Sequence, residues 1–286
     1  MPDGILIIDK PTGWTSMDVC AKLRGILREK RIGHAGTLDP MATGVLPVFV
    51  GRATKAVQFA ENGRKEYRAV LKLGTVTDTQ DTTGTVLETH PVTVGADEVR
   101  AALEHFTGEL LQLPPMYSAL KVNGQKLYDL ARQGKPVERK PRASTVYELE
   151  LLEQSAPDEF ALRVVCSKGT YIRTLCHDLG QALGCGGCMA ALRRTMAAGF
   201  RIKEAVTLER AQEEREALLL PLDEYFRAYP RFTVQNETQE KRAYNGNAFT
   251  ARGIADGECR VYDRAGNFLS LSRAEGGELH AIKNFF

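Results

Sequence analysis

Apolar and alternating segments predict most of the strands in the first two thirds of the chain. Five segments are short, rich in aliphatic residues and bounded by Gly, Pro or polar residues, which is the pattern of buried or half-buried strands. These segments are GILIIDKP (4–11), GVLPVFVG (44–51), KEYRAVLKLG (65–74), STVYELELLEQ (144–154) and EFALRVVCS (159–167).

Helical spacing predicts helices between these strands. Apolar residues recur at intervals of three and four after Ser16, which we expect to be the N-cap of a helix over roughly 17–29. Asp97 is expected to cap a second helix that runs to about Phe106. An apolar stripe within GTYIRTLCHDLGQALG (169–184) predicts a third helix.

The last part of the chain has the pattern of a small separate module. An acidic helix ends within 218–230, and the segment 258–286 then alternates around a turn at DRAGN. Upstream, the polar stretch 75–85 is predicted to be a loop. Strands and helices interleave without a regular βαβ period. We therefore expect an α+β fold with a mixed or antiparallel central sheet, flanking helices and a small β-rich C-terminal module.

Composition narrows the class of protein. Of 286 residues, 43% are hydrophobic and 26% are charged, which is typical of a globular chain with a sizeable core. No segment approaches the roughly 18 apolar residues of a membrane span, so we expect no membrane partner. Six cysteines without a recognisable secretory signal favour reduced thiols and a cytoplasmic location.

The net charge of +2 conceals two basic segments. The segment 193–203 carries four cations and no acid, and a second cluster lies within 121–142. Its cations are Lys121, Lys126, Arg132, Lys135, Arg139, Lys140 and Arg142. Such patches indicate a local site for a polyanion, although solvated surface faces explain the charge pattern equally well.

Several other kinds of site are disfavoured by the sequence. No phosphate-binding P-loop and no G-x-S-x-G nucleophile motif occur. The segment 78–84 lacks the acidic spacing of a calcium loop. Cys185 and Cys188 could pair with Cys176 and His177 around a metal, but the latter two are adjacent on a predicted helix and face different directions. We therefore expect no metal site.

The loop GHAGTLDPMATG (33–44) presents a single carboxylate, Asp39, in a constrained setting. Its glycines permit positive φ angles or close backbone approach, and its threonines can bond the local backbone. Pro40 biases Asp39 toward an extended conformation. The loop thus suits a carboxylate held in one direction beside a bulky ligand. The alternative is a structural Asp in a capped turn.

Two further clusters contain residue types that suit the same chemistry. CSKGTYIRTL places Tyr171 and Arg173 at a predicted strand-to-helix junction, where an Arg can form a bidentate pair with a carboxylate. KEYRA places Tyr67 in mid-strand, where a Tyr can stack on a flat base and offer its hydroxyl. The alternative for each is core filling with a satisfied polar group.

These segments together closely resemble the TruB family of tRNA pseudouridine synthases. The matching segments, in chain order, are DKPTGWTS, GHAGTLDPMATGVLPV, KEYRA, PPMYSALKVNGQKLYDLARQG, CSKGTYIRTLCHDLG and LRRTMAAGF. The resemblance spans most of residues 4–226. It implies an isomerase that flips out uridine 55 of the tRNA T-loop, detaches the base from C1′, turns it and rejoins it through C5. It implies no cofactor.

The resemblance also implies a domain plan. The family fold would place a catalytic pseudouridine synthase domain at 1–226, with a basic insertion near 115–145 that grips RNA. A small RNA-binding module of PUA type would occupy 230–286. The expected partner is tRNA, through its T-arm, and the expected state is a monomer.

Site residues carry over by their position in the motifs. Asp39 resembles the catalytic carboxylate, Tyr67 the tyrosine that stacks on the target base, and Arg173 the arginine paired with the carboxylate. Leu192 resembles the apolar residue that lines the base pocket, and His34 the histidine that meets the rearranged T-loop. The remaining expected substrate or RNA contacts are Lys10, Tyr171, Lys121 and Lys126.

Two other classes of function stay open. A non-catalytic RNA-binding protein, such as a tRNA-folding chaperone, would also carry basic patches, but it would not need an Asp, a Tyr and an Arg of this kind together. A nucleoside glycosylase or hydrolase would need a second pocket carboxylate or a metal cluster. The sequence does not distinguish attack of Asp39 on C1′ from removal of the 2′ proton.

Overall fold

The computed structural model describes residues 2–118, 120–122, 124–133 and 137–286, with Lys121, Val122, Lys126 and Arg132 described by their backbone alone. The strands are β1 (Gly4–Lys10), β2 (Ile32–His34), β3 (Thr43–Val50), β4 (Lys65–Leu73), β5 (Thr75–Thr77), β6 (Val86–Thr89), β7 (Gly108–Gln112), β8 (Lys121–Val122), β9 (Gln125–Lys126), β10 (Arg142–Ala156), β11 (Glu159–Cys166), β12 (Gly187–Ala197), β13 (Phe200–Arg201), β14 (Arg231–Thr233), β15 (Phe249–Thr250), β16 (Gly257–Tyr262), β17 (Phe268–Glu275) and β18 (Glu278–Asn284).

Helices are fewer than strands in the described ranges. The α-helices are α1 (Ser16–Leu27), α2 (Val57–Ala60), α3 (Ala96–Leu103), α4 (Leu127–Arg132), α5 (Ile172–Ala182), α6 (Leu208–Glu214), α7 (Leu222–Tyr225) and α8 (Glu237–Tyr244). Short 3₁₀ turns occupy Gly51–Ala56, Glu104–Phe106, Ile202–Glu204 and Arg215–Leu218. None of the helices in the described ranges is long and apolar enough to cross a membrane.

The large sheet is mixed, which is one of the two arrangements that the sequence predicted. Its strand order is β1-β3-β12-β4-β11-β10-β7, with β2 added on β3 and β13 on β12. Most neighbours are antiparallel, but β12 runs parallel to β3, where Arg194 pairs with Gly44. The helices α3 and α5 pack against one core cluster, which includes Leu71 and Leu162, while α1 packs against a second, which includes Leu6 and Leu46. The α+β fold class is confirmed.

A second, smaller sheet follows at the C-terminal end. Its order is β14-β16-β17-β18-β15, and its own core contains Val261 and Leu269. Phe226 lies fully buried between the two sheets, with ring contacts to Phe59, Phe268 and Phe285. The apolar alternation in the sequence thus predicted this β-rich module, while the helix α8 within it was not foreseen. The division at 226–230 into two named domains stays a prediction.

Two predicted helix caps were wrong. Helix α1 is capped by Thr15, whose Oγ1 accepts from Asp18 N at 3.0 Å, while Asp18 Oδ2 accepts from Thr15 N at 2.8 Å. Helix α3 begins after Gly95, whose amide donates to Glu98 Oε2 at 3.0 Å. In α1 the reciprocal pair of Thr15 and Asp18 satisfies two amides, which outweighs the single bond that the predicted cap could offer. In α3 the Glu98 carboxylate satisfies the Gly95 amide from within the first turn.

The secondary structure of two further segments also differs from the prediction. The predicted loop 75–85 begins as β5, which pairs with β6. Strand β12 lies in the middle of the large sheet, yet its sequence GCMAALRRTMA lacks the aliphatic run that identified the other central strands. Its place is fixed by pairing with β4 along its whole length.

Candidate active site

The loop that carries Asp39 joins β2 to β3 and is held by side chains from outside it. Ser16 Oγ accepts from Leu38 N at 2.8 Å and donates to Leu38 O at 3.2 Å. Lys10 Nζ donates to Pro40 O at 3.3 Å. The backbone on both sides of Asp39 is therefore tied to β1 and α1, and this fixes the direction of the carboxylate.

Arg173 meets that carboxylate from the first turn of α5. Its Nη2 lies 2.9 Å from Asp39 Oδ2, and its side chain is only 6% exposed. The guanidinium also donates to Thr79 O at 3.1 Å and to Tyr117 O at 2.8 Å. Since these three neighbours are oxygen atoms in fixed directions, Arg173 is held in one position beside Asp39.

A second carboxylate, Asp81, lies behind this arginine. Asp81 Oδ2 is 3.6 Å from Arg173 Nη1 and its side chain is 6% exposed. Its other oxygen, Oδ1, accepts from Thr79 Oγ1 at 2.8 Å and from Thr83 N at 3.0 Å. Sequence reasoning missed Asp81 because it falls within the predicted loop 75–85. The flanking threonines of DTQDTT were the available signal, since they can bond a neighbouring carboxylate.

The environment of Asp39 opposes its ionisation. Burial raises the pKa of the Asp39 carboxyl, Arg173 lowers it in part, and the negative charge of Asp81 raises it again, so that the net pKa lies above the usual Asp range. The exposed part of this side chain faces a pocket rather than open solvent. Asp39 is therefore a carboxylate whose charge is costly and is stabilised chiefly by one guanidinium.

The pocket beside Asp39 has a volume of about 570 Å³. That size lies within the range of roughly 300–1,000 Å³ found for small-molecule sites. Tyr67 and Leu192 line it from neighbouring strands, as do Tyr171 and Arg173 from the start of α5. Five of the residues predicted from the sequence thus meet around one cavity, counting Asp39.

Tyr67 and Tyr171 enter the pocket differently. Tyr67 lies on β4 and is 7% exposed, and burial raises the pKa of its phenol. Tyr171 precedes α5, and its backbone is bonded on both sides by the Gln112 amide, with Tyr171 N donating to Oε1 at 2.9 Å and Nε2 donating to Tyr171 O at 3.1 Å. Gln112 therefore fixes the junction from which Arg173 projects.

Lys10 and His34 do not line the pocket. Lys10 is fully buried, and burial lowers the pKa of its ammonium to about 8. It donates to Trp14 O at 2.6 Å and to Pro11 O at 2.9 Å. Together with its bond to Pro40 O, these contacts support the Asp39 loop. His34 lies on β2 with Nδ1 buried and without a partner, and burial lowers its pKa.

Other expected contacts are only partly placed. The side chains of Lys121 and Lys126 lie outside the described residues, as does Lys135. The structure adds Lys65, Arg142, Lys168 and Arg194 to the pocket lining as cations that the motif comparison had not singled out. It also adds Glu61, an acid that sequence reasoning had not placed at the pocket.

The cysteines are buried and unpaired. Among the described residues, no three side chains of His, Cys, Asp and Glu converge in a way that could hold a metal ion.

Comparisons with known proteins agree over most of the chain. Residues 24–172 match the family model described as TruB family pseudouridylate synthase (N terminal domain), and residues 173–227 match the tRNA pseudouridylate synthase B C-terminal domain. The protein of Alkaliphilus oremlandii named tRNA pseudouridine synthase B is 46% identical over 256 residues, which are 89% of this chain and 85% of the relative. The protein of that name from Clostridium kluyveri is 41% identical over 289 residues and 99% of each chain.

A solved structure extends the agreement to the fold. The "Crystal Structure of a Cbf5-Nop10-Gar1 Complex" contains a chain with a TM-score of 0.74 and 26% identity, covering 99% of this chain and 85% of that one. The family matches, the identity to full-length relatives and this fold all confirm the resemblance that the motifs indicated. The chain belongs to the TruB family of pseudouridylate synthases.

Proposed function

We propose that this chain converts uridine 55 in the T-loop of tRNA to pseudouridine. The curated relatives named tRNA pseudouridine synthase B support the reaction and the class of RNA. The observation that carries the proposal is the contact of Asp39 with Arg173 at the edge of a pocket lined by Tyr67 and Leu192. A carboxylate, its counter-ion, an aromatic ring and an apolar wall are what cleavage and re-formation of a glycosidic bond require.

Asp39 is the group that opens the glycosidic bond. Either its carboxylate attacks C1′ as a nucleophile, or it removes the 2′ proton, and in both cases the bond from N1 to C1′ breaks and uracil leaves with the electron pair. The base then turns and C5 bonds to C1′, while Asp39 leaves C1′ on the first route or returns the proton to C2′ on the second. The proton on C5 is lost and N1 ends protonated. No atom is gained or lost, so the reaction needs no external reactant.

Arg173 stabilises the charge of Asp39, while the pocket walls hold the base and exclude water. Arg173 keeps Asp39 ionised against the cost of burial. Tyr67 lies on the central strand β4, where its ring can stack on the flipped base and its hydroxyl can receive the C5 proton. Leu192 helps exclude water, which would otherwise trap the detached sugar as a hydrolysis product.

Cations at the pocket suit a polyanionic substrate. Lys65, Arg142 and Lys168 line it together with Arg173. Contacts of lysine and arginine with phosphates can offset the few kcal/mol needed to extrude a stacked base. We propose that the T-arm lies across this opening, that the C-terminal sheet adds RNA contacts, and that a monomer acts in the cytoplasm.

Glu61 lines the same pocket as Asp39, so a hydrolase is the alternative function that the structure suggests. Two carboxylates are the usual requirement for hydrolysis of a glycosidic bond. Asp81 does not fill that role, since it is buried and bonded to Arg173, Thr79 and Thr83. A hydrolase would release uracil, whereas the isomerase retains it.

The deciding experiment incubates the protein with an unmodified tRNA transcript. Carbodiimide-stop sequencing should map one pseudouridine at position 55, and mass spectrometry should find no free uracil. A prefolded T-arm hairpin should react equally well in excess EDTA, because no metal is expected to take part. Uracil release would favour the hydrolase, and tight binding without conversion would favour an RNA-folding chaperone.

A further inference from the structure

Arg194 is a charged side chain at the centre of the molecule that has no assigned role. It lies on β12, lines the pocket and is 0% exposed. Its Nε donates to Val45 O at 2.7 Å, and its Nη2 donates to Gly36 O at 2.9 Å. Its Nη1 is buried without a hydrogen-bond partner.

The setting of Arg194 is unusual for a structural arginine. Among the described residues, no carboxylate lies within ion-pair distance of it, and two of its hydrogen bonds go to backbone carbonyls. Its guanidinium also interacts with the Tyr67 hydroxyl. A buried cation without an anion is costly for folding, and an apolar residue of similar volume is often tolerated better. A residue retained at such a cost is expected to contribute something besides stability.

The two carbonyls that Arg194 binds flank the Asp39 loop. Gly36 precedes Asp39 and Val45 follows it, so a single guanidinium spans the opening of the loop. The loop also contacts the backbone of β12 directly, because a Cβ placed on Gly44 would lie 2.2 Å from Arg194 O. Gly36 and Gly44 both have positive φ, at 78° and 100°, which lets the chain turn tightly at these two points.

We propose that Arg194 is a positioning residue that holds both ends of the Asp39 loop and thereby sets the direction of the Asp39 carboxylate. The inference rests on the proposed function, in which Asp39 opens the glycosidic bond. The planar fork of an arginine can reach two carbonyls at fixed separation, whereas a lysine at the same position reaches one at a time.

The charge of Arg194 also acts on the groups around it. Burial lowers the pKa of His34 and of Lys65, and Arg194 lowers both further. Burial raises the pKa of Tyr67, and Arg194 opposes that rise. Removing this cation should therefore raise the pKa of all three groups, a change that a purely steric role would not produce.

The test compares Arg194→Lys with the wild-type protein by hydrogen exchange and by single-turnover kinetics on tRNA. Exchange of the backbone amides within 36–45 should rise by about tenfold or more, while strands β10 and β11 keep their protection. The single-turnover rate should fall by about tenfold or more, because a small displacement of a catalytic group is enough for such a loss. The affinity for tRNA should stay within about threefold.

Arg163→Met is the matched control. Arg163 lies on β11, is 27% exposed and is paired with Glu66, Glu148 and Glu150, so its removal perturbs the same sheet without touching the Asp39 loop. It should lower the melting temperature and leave exchange within 36–45 unchanged. If Arg194→Lys does not fold, the neutral Arg194→Gln is measured in the same way.

Two outcomes would overturn the proposal. One is wild-type exchange in the loop together with wild-type turnover in Arg194→Lys. The other is a rise in exchange that is equal across the whole sheet, which would assign Arg194 to stability alone. Hydrogen exchange can be measured without turnover. If the wild-type protein leaves uridine unconverted, the proposed function is wrong, but the exchange measurement still tests whether Arg194 holds the loop.

Discussion

Two arginine–carboxylate clusters of the molecule lie in different surroundings. Arg163 on β11 lies 2.9 Å from Glu66, 2.7 Å from Glu148 and 3.1 Å from Glu150, and its side chain is 27% exposed. Arg173 lies 2.9 Å from Asp39 and 3.6 Å from Asp81, and its side chain is 6% exposed. Glu66 and Tyr67 are adjacent on β4, so they point to opposite faces of the sheet.

The two clusters shift their carboxyl groups in opposite directions. Burial raises the pKa of Glu66, but hydrogen bonds from Thr195 and Arg163 outweigh it, and the net pKa is lowered. Burial raises the pKa of Asp39 and Arg173 only partly offsets it, so the net pKa is raised. The first cluster therefore stabilises the charged form of Glu66, while the second leaves the charged form of Asp39 less favourable than in water.

Asp39→Asn should give the largest effect and tests the contrast between the two clusters most directly. The amide is nearly isosteric, but it cannot act as a base and is a poor nucleophile, so single-turnover conversion should fall by at least about a thousandfold. Affinity for tRNA should be equal or slightly tighter, because a negative charge near RNA is removed. Melting temperature, affinity and rate are measured on one preparation. Near-normal turnover would return Asp39 to the role of a structural turn residue.

Arg173→Lys should come next in size. Lysine keeps the charge but loses the planar fork that contacts Asp39, Thr79 O and Tyr117 O together. We expect single-turnover conversion to fall by about tenfold or more with nearly unchanged tRNA affinity. Arg163→Lys is the matched exchange in the other cluster and should leave the rate within about twofold. Equal rates for the two variants would mean that fork geometry matters in neither cluster.

The Asp39 loop and the aliphatic strands could be predicted from the sequence for clear physical reasons. Strands β1 and β3 bury nearly continuous aliphatic runs and β11 alternates buried with partly buried positions, and hydrophobic periodicity detects both patterns. The meeting of Asp39 with Arg173 was expected only through the family resemblance, because no local pattern brings a loop and a distant helix together.

Other features depend on tertiary context that no local pattern records. Asp81 lies in a polar stretch that looks like a solvated loop, yet it is buried beside Arg173. Arg194 stands beside Arg193 in the sequence, yet one is fully buried and the other pairs with Asp9 at 2.7 Å. Strand β12 is defined by its neighbours rather than by its own propensity, so Arg194 could not be placed before the sheet was known.

Asp81→Asn should reveal, through the pH dependence of the rate, how the charge of Asp81 acts on Asp39. Conversion requires ionised Asp39, so the rate should fall as pH decreases through the raised pKa of that group. Burial is the main cause of the raised pKa and the charge of Asp81 adds to it. Removing that charge should move the acid midpoint of the single-turnover rate to lower pH, while a looser Arg173 reduces the plateau by up to about tenfold. A midpoint that moves upward would show that Asp81 acts mainly by holding Arg173 against Asp39.

Glu66→Gln should have the smallest effect on the reaction and tests the other cluster. Glu66 Oε2 accepts from Arg163 Nη2 at 2.9 Å, and Oε1 accepts from Thr195 Oγ1 at 2.7 Å. Glutamine keeps one acceptor and loses the charge, so the free energy of unfolding should fall by about 1 kcal/mol at neutral pH. The single-turnover rate should stay within about twofold.

The same variant has a pH signature with a definite sign. Because the pKa of Glu66 is lowered in the folded protein from its ordinary 4.5, its contribution to stability is present above about that pH. The contribution is lost as pH falls through the folded pKa, where both states bind the proton. The difference in unfolding free energy between wild type and Glu66→Gln, measured by urea titration at several pH values, should therefore be constant near neutrality and shrink in acid. A difference that persists undiminished at acid pH would place its origin in packing against Thr195, and the contrast between the two clusters would then not rest on charge.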